Sequence, residues 1–126
     1  MPLSLTLDLL AERYALTHLP QDAQVPSWPQ GSFVAVLRSV DEVTVVSEES
    51  AVPDGLRTRR RFRCLRIVGS FDIDSVGIVA AVTHPIAEAG ISIFAFSTWS
   101  TDFILNAEDD LPRATLALVA AGHEVK

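Results

Sequence analysis

Leu3, Leu5 and Leu7 alternate with Ser4, Thr6 and Asp8 at the start of the chain, the period of two that a half-buried strand requires. The strand is predicted over residues 1 to 10 and a second over 13 to 19. Pro20, Pro26, Pro29 and Gly31 then interrupt any regular pattern, so residues 20 to 31 read as a loop with at most one short turn near Trp28. Residues 32 to 38 and 43 to 46 are rich in Val and Phe. They flank Ser39, Val40, Asp41 and Glu42 and predict a hairpin, after which residues 48 to 55 leave the sheet.

From residue 63 the periods change in a fixed order. Residues 63 to 68 read as a strand with Leu65 and Ile67 on one face and Cys64, Arg66 and Val68 on the other, ended by Gly69. Ile78, Val82, Ile86 and Ala89 recur near helical spacing and predict a helix over 76 to 89. Asp74 or Ser75 is its expected N-cap and Gly90 its C-terminal cap. Pro85 lies inside and lacks the amide hydrogen, which predicts a bend or a shortened first half. Residues 91 to 96 and 103 to 105 are apolar on nearly every side, as central strands are, and pair across residues 97 to 102. Asp109 or Asp110 starts a last helix with Leu111, Ala114, Leu118 and Ala121 on its buried side. Gly122 closes it before a strand at 123 to 125. Strand, helix, two strands, helix, strand is the βαββαβ order of a ferredoxin-like α+β unit, an antiparallel sheet with helices on one face.

The first half has similar strands without two good amphipathic helices. We therefore expect two halves, 1–60 and 61–126. If the first is a degenerate copy of the second, the Pro-rich loop replaces its first helix and residues 48 to 56 are the remnant of its second. A half of about 60 residues with so little helix is expected to pack against the other half or a partner subunit.

Composition narrows the function classes. The chain has 126 residues, 48% hydrophobic and 21% charged, which suits a folded domain and not a disordered one. Its net charge of -6 opposes nonspecific attraction to nucleic acid or to an anionic membrane. Cys64 is the single cysteine, so no intramolecular disulfide forms and a reducing cytoplasm is the expected setting. The amino end has neither the basic start nor the unbroken apolar run of a signal peptide, and no window is apolar enough for a membrane span. Arg57, Arg59, Arg60, Arg61 and Arg63 hold five of the ten basic residues. In an acidic chain they read as a solvated face pairing with Glu48, Glu49 and Asp54, ahead of a nucleic-acid site. His18, His84 and His123 lack metal-ligand spacing. There is no nucleophile elbow and no phosphate-cradling glycine loop, so no catalytic residue, metal or cofactor is expected.

The polar connection at 97 to 102 lies beside a helix start and carries the chemistry of most interest, a place for a small zwitterion. Backbone amides at Val76 and Gly77, at the positive end of a helix dipole, can receive a carboxylate, and Gly77 permits close approach. Asp102 or Asp74 can pair with an ammonium group, and Trp99 can cover an aliphatic or cationic side chain. Each residue also has a plainer role: helix capping for Asp74 and Ser75, turn bonding for Thr101 and Asp102, core packing for Trp99.

The order over residues 63 to 125, with Asp74, Ser75, Val76 and Gly77 before a helix, Pro85 to Phe94 and Ser97 to Leu105, resembles an ACT domain. More narrowly it is similar to small ACT proteins of the kind found in cytosolic arginine sensors and aspartate kinase regulatory modules. The first half, with Glu12 to Leu16 and Pro26, Ser27 and Trp28, resembles the degenerate first copy of bacterial members. The resemblance implies regulation and not catalysis, with ACT units pairing through their sheets to bind amino acids or related metabolites at a domain or subunit interface. The ligand-binding positions it implies are Asp72, Asp74, Ser75, Val76 and Gly77, together with Ser97, Thr98, Trp99, Thr101 and Asp102. Trp99 and Ser100 depart from the pattern, since relatives often carry a smaller aromatic followed by an acidic or amide residue. The expected protein is a cytoplasmic, homodimeric sensor that passes occupancy to its oligomer or to a regulated enzyme. The alternative is a ligand-free dimerisation or docking module.

Overall fold

The computed structural model describes residues 3–126, and among them are eight strands and two α-helices. In order these are β1 (Thr6–Leu9), β2 (Tyr14–Pro20), β3 (Ala35–Arg38), β4 (Glu42–Glu48), β5 (Arg57–Ile67), α1 (Ile78–Glu88), β6 (Ile93–Ser97), β7 (Asp102–Ala107), α2 (Leu111–Ala120) and β8 (Glu124–Val125). Two units result. One holds the chain up to Leu10 together with Arg63–Lys126, and the other is Ala11–Phe62. No helix of the described residues is long and apolar enough to cross a membrane.

In the first unit the strands run in the order β6, β7, β5, β1, β8. The βαββαβ series from β5 to β8 is the ferredoxin-like order, with β1 slipped between its first and last strands. Leu7 pairs with Ile67 and Leu9 with Leu65 in the antiparallel register to β5, while β1 and β8 run parallel. The division expected at residue 60 thus differs at the amino end, because β1 takes its hydrogen bonds from β5 and β8. Of the strand expected over 1 to 10, residues 1 and 2 lie outside the described residues and Leu3 to Leu5 are not strand. The Leu5 amide instead donates to His123 Nδ1 at 3.1 Å.

The two periods in the sequence meet in one core. Leu7, Leu65, Ile67 and Ile104 come from the sheet, and Val82, Ile86, Ala114 and Leu118 from the helices. All eight are fully buried. Burying each large aliphatic among them contributes about 1.5–3 kcal/mol, so this layer, and not helix propensity, holds α1 and α2 on the sheet.

Helix α1 departs from expectation at two points. Its N-cap is Gly77, at φ 88°, with no side-chain cap, and not Asp74 or Ser75. A left-handed backbone favours glycine, and it turns the chain into the helix two to three residues later than an Asp or Ser cap would. Pro85, expected to bend the helix or shorten its first half, is followed by helix as far as Glu88. The carbonyl that Pro85 cannot serve, Ala81 O, lies 2.8 Å from His123 Nε2. With Nδ1 accepting from Leu5, the ring must carry its proton on Nε2 and donate to Ala81. At the other end, Gly90 takes the left-handed conformation and Ile91 N–H returns to Ile86 O at 3.2 Å, as a C-terminal glycine cap should. Helix α2 follows a single 3-10 turn at Glu108–Asp110. Its last strand is Glu124–Val125.

In the second unit β3, β4, β2 and the leading part of β5 form an antiparallel order. Tyr14, Phe33, Val43, Val45, Val46 and Phe62 are buried in this unit. The predicted hairpin is present, its turn held by Ser39 Oγ accepting from the amides of Asp41 and Glu42, each at 3.2 Å. The 3-10 turn Glu49–Ala51 is the helical element among the described residues here. β5 begins at Arg57, six residues before the expected start, because Arg57, Thr58 and Arg59 pair with His18, Thr17 and Leu16. An extra residue on β5 between the Leu16 and Tyr14 pairings makes a bulge, with Arg61 at φ 65° and its amide 2.7 Å from Glu49 Oε1. Glu49 therefore meets the basic run through a backbone amide.

Candidate functional site

Two segments of the first unit, residues 70–77 and 98–101, stand at the same end of the sheet because β5 leads into one and β6 turns into β7 through the other. Their bases are tied together. Phe71 N–H donates to Ser100 O at 2.8 Å, and Thr101 Oγ1 donates to Ile67 O at 2.6 Å. Within the hairpin, Thr98 N–H donates to Thr101 O at 2.8 Å. In the other segment Ser75 N–H donates to Asp72 O at 2.9 Å.

Between the segments is a cleft of ≈190 Å³. Of the ten sequence-predicted residues, it brings together Asp72, Ser75, Ser97, Thr98, Trp99, Thr101 and Asp102. Asp74 lines an adjoining depression that shares Asp72 and Trp99. Val76 and Gly77 line neither, and Val76 is almost wholly exposed. Ile78 and Val79, the first two residues after the Gly77 cap, line the cleft. Amides of a first helical turn have no partner within the helix, and no side chain caps this one.

Ser100, singled out in the sequence with Trp99, completes the lining together with Phe71, Ile73, Ile78 and Val79, which escaped the sequence reading as site residues. Ile73 is 71% exposed and sits between Asp72 and Asp74. An apolar residue held out among carboxylates is the signal that was available.

The electrostatics are one-sided. Asp72, Asp74 and Asp102 are the charged residues around the cleft and its adjoining depression, with no Lys, Arg or His in either lining. Asp102 is only 8% exposed, and Ser97 Oγ donates to its Oδ1. Trp99, by contrast, is 81% exposed at the rim. Such a site can hold a small polar molecule by a carboxylate on one side, amides on another and an indole face above.

Comparison with known proteins bears on the family and the fold. The ACT domain family model matches residues 57–120. An X-ray structure of a protein from Agobacterium tumefaciens is 30% identical, covers 98% of this chain and 93% of its own, and superposes with a TM-score of 0.92. A Vibrio cholerae protein described as a possible transport protein is 20% identical over 94% of this chain and 91% of its own, with a TM-score of 0.75. The regulatory subunit of aspartate kinase from Thermus flavus is 13% identical over 95% of this chain and 97% of its own, with a TM-score of 0.60. The last two likenesses concern the fold alone. A comparison with curated proteins finds no match. ACT domains are regulatory ligand-binding domains and not catalytic ones. By its family-model match, and by its likeness over almost the whole length to the Agobacterium structure, the chain belongs to the ACT domain family.

Proposed function

We propose that this protein is a non-catalytic sensor that binds an amino acid or a related small metabolite in the cleft between residues 70–77 and 98–101. The observation that carries the reading is Asp102, 8% exposed in the cleft wall and held by Ser97 through one oxygen, in the same lining as the uncapped start of α1. An ammonium group would pair with that carboxylate, and the first turn of α1 suits a ligand's carboxylate. Asp72, Ser75, Thr98 and Trp99 would frame the remainder of the ligand. Thr101 acts through the hairpin, since its hydroxyl is committed to Ile67.

Occupancy would be passed on by differential affinity: a ligand that binds one state of the oligomer more tightly shifts the population toward it, by no more than that difference. A homodimer fits this role, because β6 is bonded on one side only and leaves a strand edge for a second copy. A cytoplasmic setting goes with it. Calorimetric titration of the protein with each of the twenty amino acids is the test, with saturable heat expected for at least one and D102N abolishing it. Absence of heat and of thermal shift at millimolar concentration for all twenty defeats the sensor.

The second reading is a ligand-free docking module. Its support is the exposure of Ile73 and Trp99, two large apolar side chains in the cleft lining. On that reading W99A weakens self-association in sedimentation while D102N leaves it unchanged.

A further inference from the structure

We infer that the outer face of the helix layer in the first unit is a contact between two copies of this chain, separate from the strand edge of β6 and independent of the sensor reading. A surface helix ordinarily sets charged residues opposite its buried stripe. Here the stripes are ordinary and the outer faces are not. Val82 and Ile86 of α1 and Ala114 and Leu118 of α2 are buried in the core, while Leu116 and Val119, on the far side of α2, are 70% and 54% exposed and lie outside it. Residues 75–87 and 114–123 contain no Asp, Glu, Lys or Arg, although 21% of the chain is charged. At the carboxyl end of α2 the same layer holds a hollow of ≈310 Å³, walled chiefly by Leu3, Ala80, Ala81, Pro85 and Ala121.

Charge selects the occupant. Two copies of a chain with net charge -6 repel each other, so they meet most readily where acid is scarce or already engaged. The helix face meets that condition. The charges at its margin are Glu88, held by His84 at 2.8 Å, and Arg113, held by Asp110 at 3.3 Å. A twofold contact also needs one patch that is complementary to itself. Leu116 and Val119 project and the hollow recedes, so each copy offers what the other lacks. A lipid surface fits less well, because an interfacial helix carries Lys and Arg on its polar face and these two helices have Arg113 alone. Helices of 11 and 10 residues, each about 10 Å across, present a face of roughly 15 Å by 20 Å, small for a permanent interface, so association is expected at about 10–100 micromolar.

Sedimentation of the full chain from about 5 micromolar to about 1 millimolar is the experiment, with L116K, L116E and V119K run beside the wild type. The wild type is expected to pass from monomer to dimer across this range, and each variant to weaken the association at least about 10-fold. Both signs are placed at Leu116 because lysine lowers the net negative charge, so a loss seen with both does not come from overall repulsion. Melting at the lowest concentration checks the fold, which substitution of side chains this exposed should leave unchanged. A wild type that stays monomeric at every concentration overturns the proposal. Association that L116K, L116E and V119K all leave intact overturns it too and assigns the contact to another surface, the β6 edge included. Wild type that binds phosphatidylcholine vesicles, with L116K abolishing the binding, hands the face to a membrane and overturns the second copy.

Discussion

Pro85 and His123 should behave as one unit, and a double-mutant cycle can measure it. His123 is 6% exposed and bridges two backbone groups, accepting from Leu5 N–H at 3.1 Å and donating to Ala81 O at 2.8 Å. Ala81 O needs that donor because the residue four positions on is Pro85. H123A therefore removes two hydrogen bonds and leaves two backbone groups without partners. Each intramolecular bond is worth about 0.5–1.5 kcal/mol net, and an orphaned buried partner costs about 1–3 kcal/mol. Leu5 and Ala81 are only half-buried, so water recovers part of this and the expected loss is about 2–4 kcal/mol. With alanine at 85 a helical amide becomes available to Ala81 O, and removing His123 orphans Leu5 alone. In the P85A background the cost of H123A should accordingly fall by about 1–2 kcal/mol. Urea unfolding of wild type, P85A, H123A and the double variant gives the coupling directly. Costs that add to within about 0.3–0.5 kcal/mol would show that His123 does not stand in for the missing helical donor.

Other consequences are as readily checked. Glu12 accepts from Ser32 Oγ at 2.8 Å, and that bond, ahead of backbone contacts, holds its carboxyl below the ordinary value of 4.5. A depressed carboxyl pKa gives stability that is present above 4.5 and lost as pH falls through the folded value. Melting temperatures of wild type and S32A should therefore differ at neutral pH and converge in acid, and a gap that widens in acid reverses the sign of the argument. R61G relieves a left-handed non-glycine residue worth about 1–2 kcal/mol and adds about 0.5–1 kcal/mol of backbone entropy loss. It should be neutral or stabilising in thermal melts, and a large loss of stability would mean that the bulge depends on the arginine side chain. T101V deletes the hydroxyl that holds the hairpin to Ile67 and should cost about 1 kcal/mol in urea unfolding, with no loss meaning that this tie is dispensable.

What could be read from the chain were features set by neighbours in sequence. Ile78, Val82 and Ile86 marked the helix because one face of a helix repeats locally, and the Ser39 turn announced its hairpin for the same reason. Features made by distant partners were not legible. β1 finds β5 and β8 across most of the chain, and nothing in its own alternation names them. Pro85 was expected to bend the helix or shorten its first half, and the donor that serves its orphaned carbonyl, His123, lies 38 positions on and outside the helix. The strand at Arg57 was hidden by its arginines, whose charge reads as loop although their backbones pair with β2. At the cleft, the polar connection and its acidic residues were visible as chemistry. The apolar lining of Phe71, Ile73, Ile78 and Val79 was not, since a side chain in a loop takes its meaning from what folds against it.

The place of β1 between β5 and β8 also sets the order of events as the polypeptide leaves the ribosome. Leu5 and the His123 ring that receives it are 118 positions apart, and a pairing that remote forms late and slowly. At roughly 5–20 residues per second of synthesis, β1 is out for about 6–24 seconds before its parallel neighbour has been made. During that interval a leucine-rich edge stands open, and the nascent chain depends on a chaperone or on sheer dilution to keep it from joining the wrong strand.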